Sequence, residues 1–101
     1  MKEQLRIYTI KAGDMGDWIA EWRHSIAPLR RTHGFDVVNG WTVEGEDKFI
    51  WILRYDGPRS WKEADAAYYA SPERKAMQPD PARHIAKAER LMMRSVDQGF
   101  R

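Results

Sequence analysis

The stretch FIWILRY, Phe49–Tyr55, decides the fold. It does not alternate apolar and polar residues. Phe49, Trp51, Leu53 and Tyr55 point to one side of an extended chain, while Ile50 and Ile52 point to the other. A strand of this kind needs cover on both faces. What flanks it shows how much cover the chain can supply.

Upstream, FDVVNGWTVE (35–44) has the β-branched and aromatic content of a strand, and GED before Lys48 is turn chemistry, so the two form a hairpin. Gly40 inside the first arm suggests a bulge or the close approach of another group. Residues 15–33 carry Met15, Trp18, Ile19, Trp22, Ile26 and Leu29 on one stripe at helical spacing. Asp14 is the expected N-cap, with Asp17 three residues on. Pro28 removes a donor and should bend this helix near its end, and Gly34 closes it. Before it, QLRIYTI (4–10) reads as a strand.

Downstream, Ser60 and Glu63 form a capping box for a second helix, WKEADAAYYA. Trp61, Ala64 and Tyr68 share its inner face. Ser71-Pro72 starts one further helical turn, and QPDPAR is a loop. The last element is ambiguous locally. Ile85, Ala88, Leu91, Met92 and Ser95 fit a helical stripe. Topology decides for a strand over 86–95, because strand, helix, strand, strand, helix is five-sixths of a split βαβ unit. The fold expected is therefore α+β and ferredoxin-like, βαββαβ, an antiparallel four-stranded sheet with two helices on one face. A single domain is expected over 1–98, with 99–101 a frayed tail.

Two helices cover one side of FIWILRY and nothing is left for the other. The bare apolar area would exceed what soluble monomers usually show. A second copy packed sheet against sheet removes it, so a homodimer through the sheet faces is expected.

Composition narrows the function. The chain has 101 residues, 43% apolar and 32% charged, with five Trp, four Tyr and three Phe. So many rings in one small domain must fill a core, an interface or a pocket. The absence of cysteine removes disulfides, thiolate catalysis and thiol-ligated metals. The three histidines have neither HxH nor HExxH spacing, so no metal site is expected. No serine sits in a nucleophile elbow and GDMG is no phosphate loop. The net charge of +2 is spread along the chain, with no basic stripe, so nucleic acid is not an expected partner. No apolar run approaches ~20 residues and no signal region precedes the first strand, so no membrane association and a cytoplasmic location are expected. With no flavin, thiol or metal signature, no cofactor is expected, and any chemistry would rest on acid–base side chains and a reactive substrate.

The chain resembles the NIPSNAP family within the dimeric α+β barrel superfamily. The resemblance is carried by LRIYTIKAGD (5–14), PLRRTHGFDVVNGWTVE (28–44) and FIWILRYDGPRSWKEADAAYYASPE (49–73). Arg74 departs from it, standing where many members carry tryptophan, so a pocket wall built there would be altered. The resemblance implies a dimeric α+β barrel with a small-molecule cleft between sheet and helices. It implies no assigned reaction; related barrels include cofactor-free monooxygenases and isomerases.

Several side chains could serve such a cleft. Arg6 and Tyr8 share one face of the first strand; Arg6 could hold a carboxylate or enolate and Tyr8 donate a hydrogen bond. The structural alternative makes Arg6 an ion-pair partner across the dimer and Tyr8 packing. His84, where the proline loop meets the last strand, is the histidine to test first for catalysis, a purely structural role being the alternative. His33 reads as a packed helix-end residue and His24 as solvated. Trp41, Trp61 and Tyr68 could form an aromatic slot for a small hydrophobic or aromatic ligand, or simply fill the core. Asn39, polar in mid-strand, is a ligand contact or a dimer hydrogen bond. Asp65, at the margin of the second helix, is expected to be solvated, the alternative being that it orients Arg6, Arg54 or His84. Two functions stay open: a cofactor-independent enzyme, and a non-catalytic ligand-binding or scaffold module.

Overall fold

The computed structural model describes residues 1–97; the expected tail at 99–101 lies outside them. Four strands, β1 (Lys2–Ile10), β2 (Phe35–Thr42), β3 (Lys48–Tyr55) and β4 (Ile85–Met93), form one antiparallel sheet in the order β2-β3-β1-β4. This is the ferredoxin-like arrangement, and the last element is a strand. The helical layer comprises α1 (Met15–Glu21), a π turn (Trp22–Ile26) and α2 (Ala27–Thr32) as one interrupted helix, then α3 (Trp61–Ala70), α4 (Pro72–Lys75) and a 3₁₀ turn (Pro81–His84).

FIWILRY splits as its pattern demands. Phe49, Trp51, Leu53 and Tyr55 are buried beneath the helices, with Gln4, Arg6, Tyr8 and Ile10 of β1 beside them. The opposite face carries Leu5, Ile7, Ile50 and Ile52, half-buried, with Leu91 and Trp41 exposed. No helix among the described residues covers it. Arg54 sits at its rim, donating from Nε to Glu3 at 3.0 Å.

Trp41 reaches that face through a shift of register. β2 slips against β3 between Val37 and Asn39. One extra residue inverts the alternation that follows. Phe35 and Val37 point to the core, whereas Asn39 and Trp41 lie opposite Ile52 and Ile50 on the open face. Gly40 meets both expectations raised by its position. It follows the bulge, and a Cβ there would lie 2.6 Å from Phe49 and 2.9 Å from Trp22.

The first helix also departs from regular spacing. Pro28 has no N–H for the carbonyl of His24, so the α-ladder is already broken there. The chain widens just ahead, with the N–H of Ala27 donating to the carbonyl of Trp22. The extra residue advances the phase of everything after it. Ala27 and Arg30 are buried, while Leu29, expected on the inner stripe, is only partly covered. The N-cap expectation for Asp14 holds for position alone: its carboxylate makes no cap. The Ser60–Glu63 capping box forms in full, at 3.1 and 3.2 Å, and Ser71 caps α4 at 3.2 Å.

Candidate functional site

A cavity of about 150 Å³ lies between the sheet and the helical layer. β1 and β3 supply its floor with Tyr8 and Trp51, and α1 and α2 add Trp18 and Arg30. Tyr68 and Tyr69 descend from α3, Arg74 from α4, and Ile85 and Arg90 come from β4. β4 is an edge strand and stays exposed along most of its length, leaving the cavity open on that side.

Behind this wall stands a buried polar cluster. Arg6 is 0% exposed. Its Nε donates to Gln4 at 2.7 Å, one terminal nitrogen to the hydroxyls of Tyr8 at 3.2 Å and Tyr69 at 3.1 Å, and the other to Asp65 at 3.0 Å. Arg30, 1% exposed, donates to the same Asp65 oxygen at 2.7 Å. Its guanidinium lies over the ring of Tyr68 at 3.8 Å and near those of Phe35 and Tyr69 at 4.8 and 5.1 Å. Asp65, Tyr68 and Tyr69 recur at helical spacing, so α3 presents all three to the sheet together.

Two guanidiniums on one carboxylate leave an unbalanced positive charge, and the tyrosines feel it. Burial pushes the Tyr69 phenol up, but the charges of Arg6 and Arg30 and the hydrogen bond from Arg6 more than offset this, holding it below its ordinary value. At Tyr68 burial wins over Arg30 and Arg74, and its phenol is raised. Burial would lower Arg6, yet Tyr8, Tyr69 and Asp65 together hold it above its ordinary value. Six buried polar atoms lack any partner among the described residues. Four belong to cavity-lining side chains: Nε1 of Trp18 and of Trp51, Nε of Arg30, and the Tyr68 hydroxyl.

The structure gathers some of the expected site residues and scatters others. Tyr8 and Tyr68 line this cavity, and Arg6 stands behind it, bonded to Tyr8 and held by Asp65. The ion-pair partner of Arg6 is thus within the chain. Arg74 is part of the wall. Trp41 and Asn39 are carried to the open face by the β2 bulge, and the Asn39 side chain accepts from the N–H of Gly40 at 2.7 Å. Trp61 packs edge-on against Phe35 and does not line the cavity.

His84 does not join them. It is buried, with Nδ1 2.9 Å from Asp14 and Nε2 3.0 Å from Glu21. Glu21 in turn takes a two-pronged contact from Arg83 at 2.8 and 2.9 Å. The hydrogen bonds to Asp14 and then Glu21 raise the imidazole above its ordinary value. Both ring nitrogens are engaged, and they tie the start of β4 to α1. His33 is half-buried, edge-on to Tyr68, and His24 is exposed. Among the described residues no group of three or more His, Asp or Glu is gathered as a metal would require. No helix among them is long and apolar enough to cross a membrane.

Sequence reasoning missed Arg30, Trp51 and Tyr69 as site residues. Trp51 and Tyr69 lie one turn or one strand from residues already chosen. Arg30 looked like a cation at a helix end; only the phase shift at Pro28 turns it inward.

Comparison with known proteins agrees with this architecture. A family model described as NIPSNAP matches residues 3–98. No curated protein matches the chain. An uncharacterized NIPSNAP domain protein from Burkholderia xenovorans has the same fold, with a TM-score of 0.82 at 16% identity over 100% of both chains. A NIPSNAP family protein from Agrobacterium tumefaciens gives 0.84 at 15% identity, over 97% of this chain and 88% of the other. An antibiotic biosynthesis monooxygenase gives 0.68 at 13% identity, over 95% and 99%. At such identities the likeness speaks for the fold. The family match, though, spans residues 3–98, nearly every described residue: the chain belongs to the NIPSNAP family.

Proposed function

We propose that the protein is a homodimeric, cofactor-independent enzyme that removes a proton from an aromatic compound held between sheet and helices. The observation that carries this is the Tyr69–Arg6–Arg30 arrangement at the cavity wall. A phenol held below its ordinary value by two guanidiniums gives up its proton more readily than a free one. Once Tyr69 has released its own proton to solvent, its oxygen takes a proton from an acidified C–H or O–H of the ligand, and the electron pair left behind spreads into the ligand's own π system. Arg6, through Tyr8, and Arg30 supply fixed positive charge near the anion that forms. Return of the proton at another carbon is an isomerisation. Capture of the carbanion by dioxygen would be the oxygenation that the name of the monooxygenase neighbour brings to mind.

The cavity volume suits one aromatic ring, since a cavity of roughly 150 Å³ holds benzene. The dimer is supported by the apolar face of Leu5, Ile7, Ile50, Ile52, Trp41 and Leu91, which a second copy would cover.

The test uses phenylacetone, an aryl ketone with acidic benzylic C–H bonds. Proton exchange in deuterium oxide is followed by NMR, and binding by quenching of tryptophan fluorescence. The wild-type protein should accelerate exchange, and Tyr69→Phe should bind the ketone but lose the acceleration. Binding without exchange in the wild type would make the protein a ligand-binding module; absence of binding would remove the cavity from consideration.

A further inference from the structure

We infer that the aromatic ligand of this cavity carries a carboxylate, bound at the β4 side by Arg90 with Arg74 and Arg30 near it. The inference rests on the cavity being a ligand site, as proposed above, but not on any reaction there.

The argument begins with strand register. Arg6 and Arg90 are directly opposite each other on β1 and β4. Their side chains therefore share the helix-side face of the sheet. Like charges placed this way repel, and a cross-strand pair of arginines destabilises unless an anion lies between or beside them. Arg6 has its carboxylate in Asp65, but Asp65 is already shared with Arg30. Arg74 is paired with Asp80 at 3.0 Å. Arg90 lines the cavity and has no ion-pair partner among the described residues. Three guanidiniums thus line the cavity, with Arg6 behind it, and these four share two carboxylates, an excess of two positive charges.

The choice among ligand classes follows from the charge. A neutral hydrocarbon ring would fill the volume and leave the charge unanswered. A cationic ligand would add to the repulsion. An aromatic ring with a carboxylate answers volume and charge together, and arginine's planar fork matches a carboxylate bidentately.

The test compares phenylpyruvate with phenylacetone. The two share a benzyl ketone skeleton, and the acid has a carboxylate where the ketone has a methyl group. Affinities are measured by fluorescence titration at low salt for the wild type, Arg90→Gln and Arg90→Lys. The acid should bind the wild type about tenfold or more tighter than the ketone, the scale of a charge-assisted hydrogen bond. Arg90→Gln should cut affinity for the acid by about that factor and leave the ketone unchanged, with Arg90→Lys in between. Equal binding of the two, or a preference for the acid that survives Arg90→Gln, overturns the assignment while the cavity stands as a ligand site. Failure of both compounds to bind a folded protein overturns the site itself, and this inference with it. Arg90 is exposed at the sheet edge, so its replacement leaves the core intact; the unchanged ketone affinity verifies that.

Discussion

Replacing Asp65 with asparagine leaves an oxygen where two buried guanidiniums converge but removes its charge. Arg6 and Arg30 are 0% and 1% exposed and stand 3.0 and 2.7 Å from one Asp65 oxygen. Neither can move to water without breaking the packing of Trp51, Phe35 and Tyr68 around them. Removing one member of a buried pair costs about 3–5 kcal/mol, mainly because the other charge is left uncompensated. Asp65 itself is 24% exposed, which weakens the pair through solvent screening and argues for the lower end, about 3 kcal/mol. For a domain near this size each kcal/mol moves Tm by about 4–8 °C, so Asp65→Asn should melt about 12 °C or more below the wild type. Urea unfolding followed by tryptophan fluorescence should show a lowered midpoint with an unchanged slope. Asp65→Ala, which removes the acceptor as well, should fall further. A loss below about 1 kcal/mol, the level of exposed ion pairs, would mean that solvent reaches both guanidiniums and that the cluster is not the anchor of α3.

Two further outcomes follow from the fold. His84 is raised above its ordinary 6.5 by Asp14 and Glu21, so the clamp's contribution is complete below 6.5 and fades as pH climbs through the raised folded-state value. At Glu21 burial pushes up, but Arg83 and His84 prevail and hold it below its ordinary 4.5, so its share is kept above 4.5 and lost under strong acid. The stability gap between wild type and His84→Gln, from urea midpoints across pH, should therefore be widest between 4.5 and 6.5 and narrow above; a gap that widens with rising pH contradicts the clamp. Ile52→Glu, on the open sheet face, should convert a sedimenting dimer into a folded monomer, and a wild-type protein that already sediments as a monomer ends the case for the dimer.

The strand pattern of FIWILRY, the Ser60–Glu63 capping box and the βαββαβ order were legible because each depends on residues close in sequence or on a strong topological rule. The final strand shows the limit. Its local pattern suits a helix, and only the need to complete the sheet against β1 makes it a strand. The site was half legible. Arg6, Tyr8 and Tyr68 follow from simple alternation and helical spacing. Trp41 was expected beside Tyr68, but one extra residue in β2 inverts the faces after Val37 and carries it, with Asn39, to the open face, and a bulge leaves little trace beyond Gly40. Arg30 was hidden for the same kind of reason, by one extra residue in a helix. His84 sits at a junction that suggests chemistry, but its two carboxylate partners come from the far end of the sequence, 63 and 70 residues away.

The wide turn at Trp22–Ile26 makes the first helix a device in two independently tunable halves. An added residue rotates all that follows by about 100° and nothing that precedes it. Trp18 and Trp22 can thus keep their seats against Phe49 while the segment after Pro28 swings a cation inward. A scaffold built like this can exchange the charge of its chamber by editing the second half alone, with the foundation of the domain untouched.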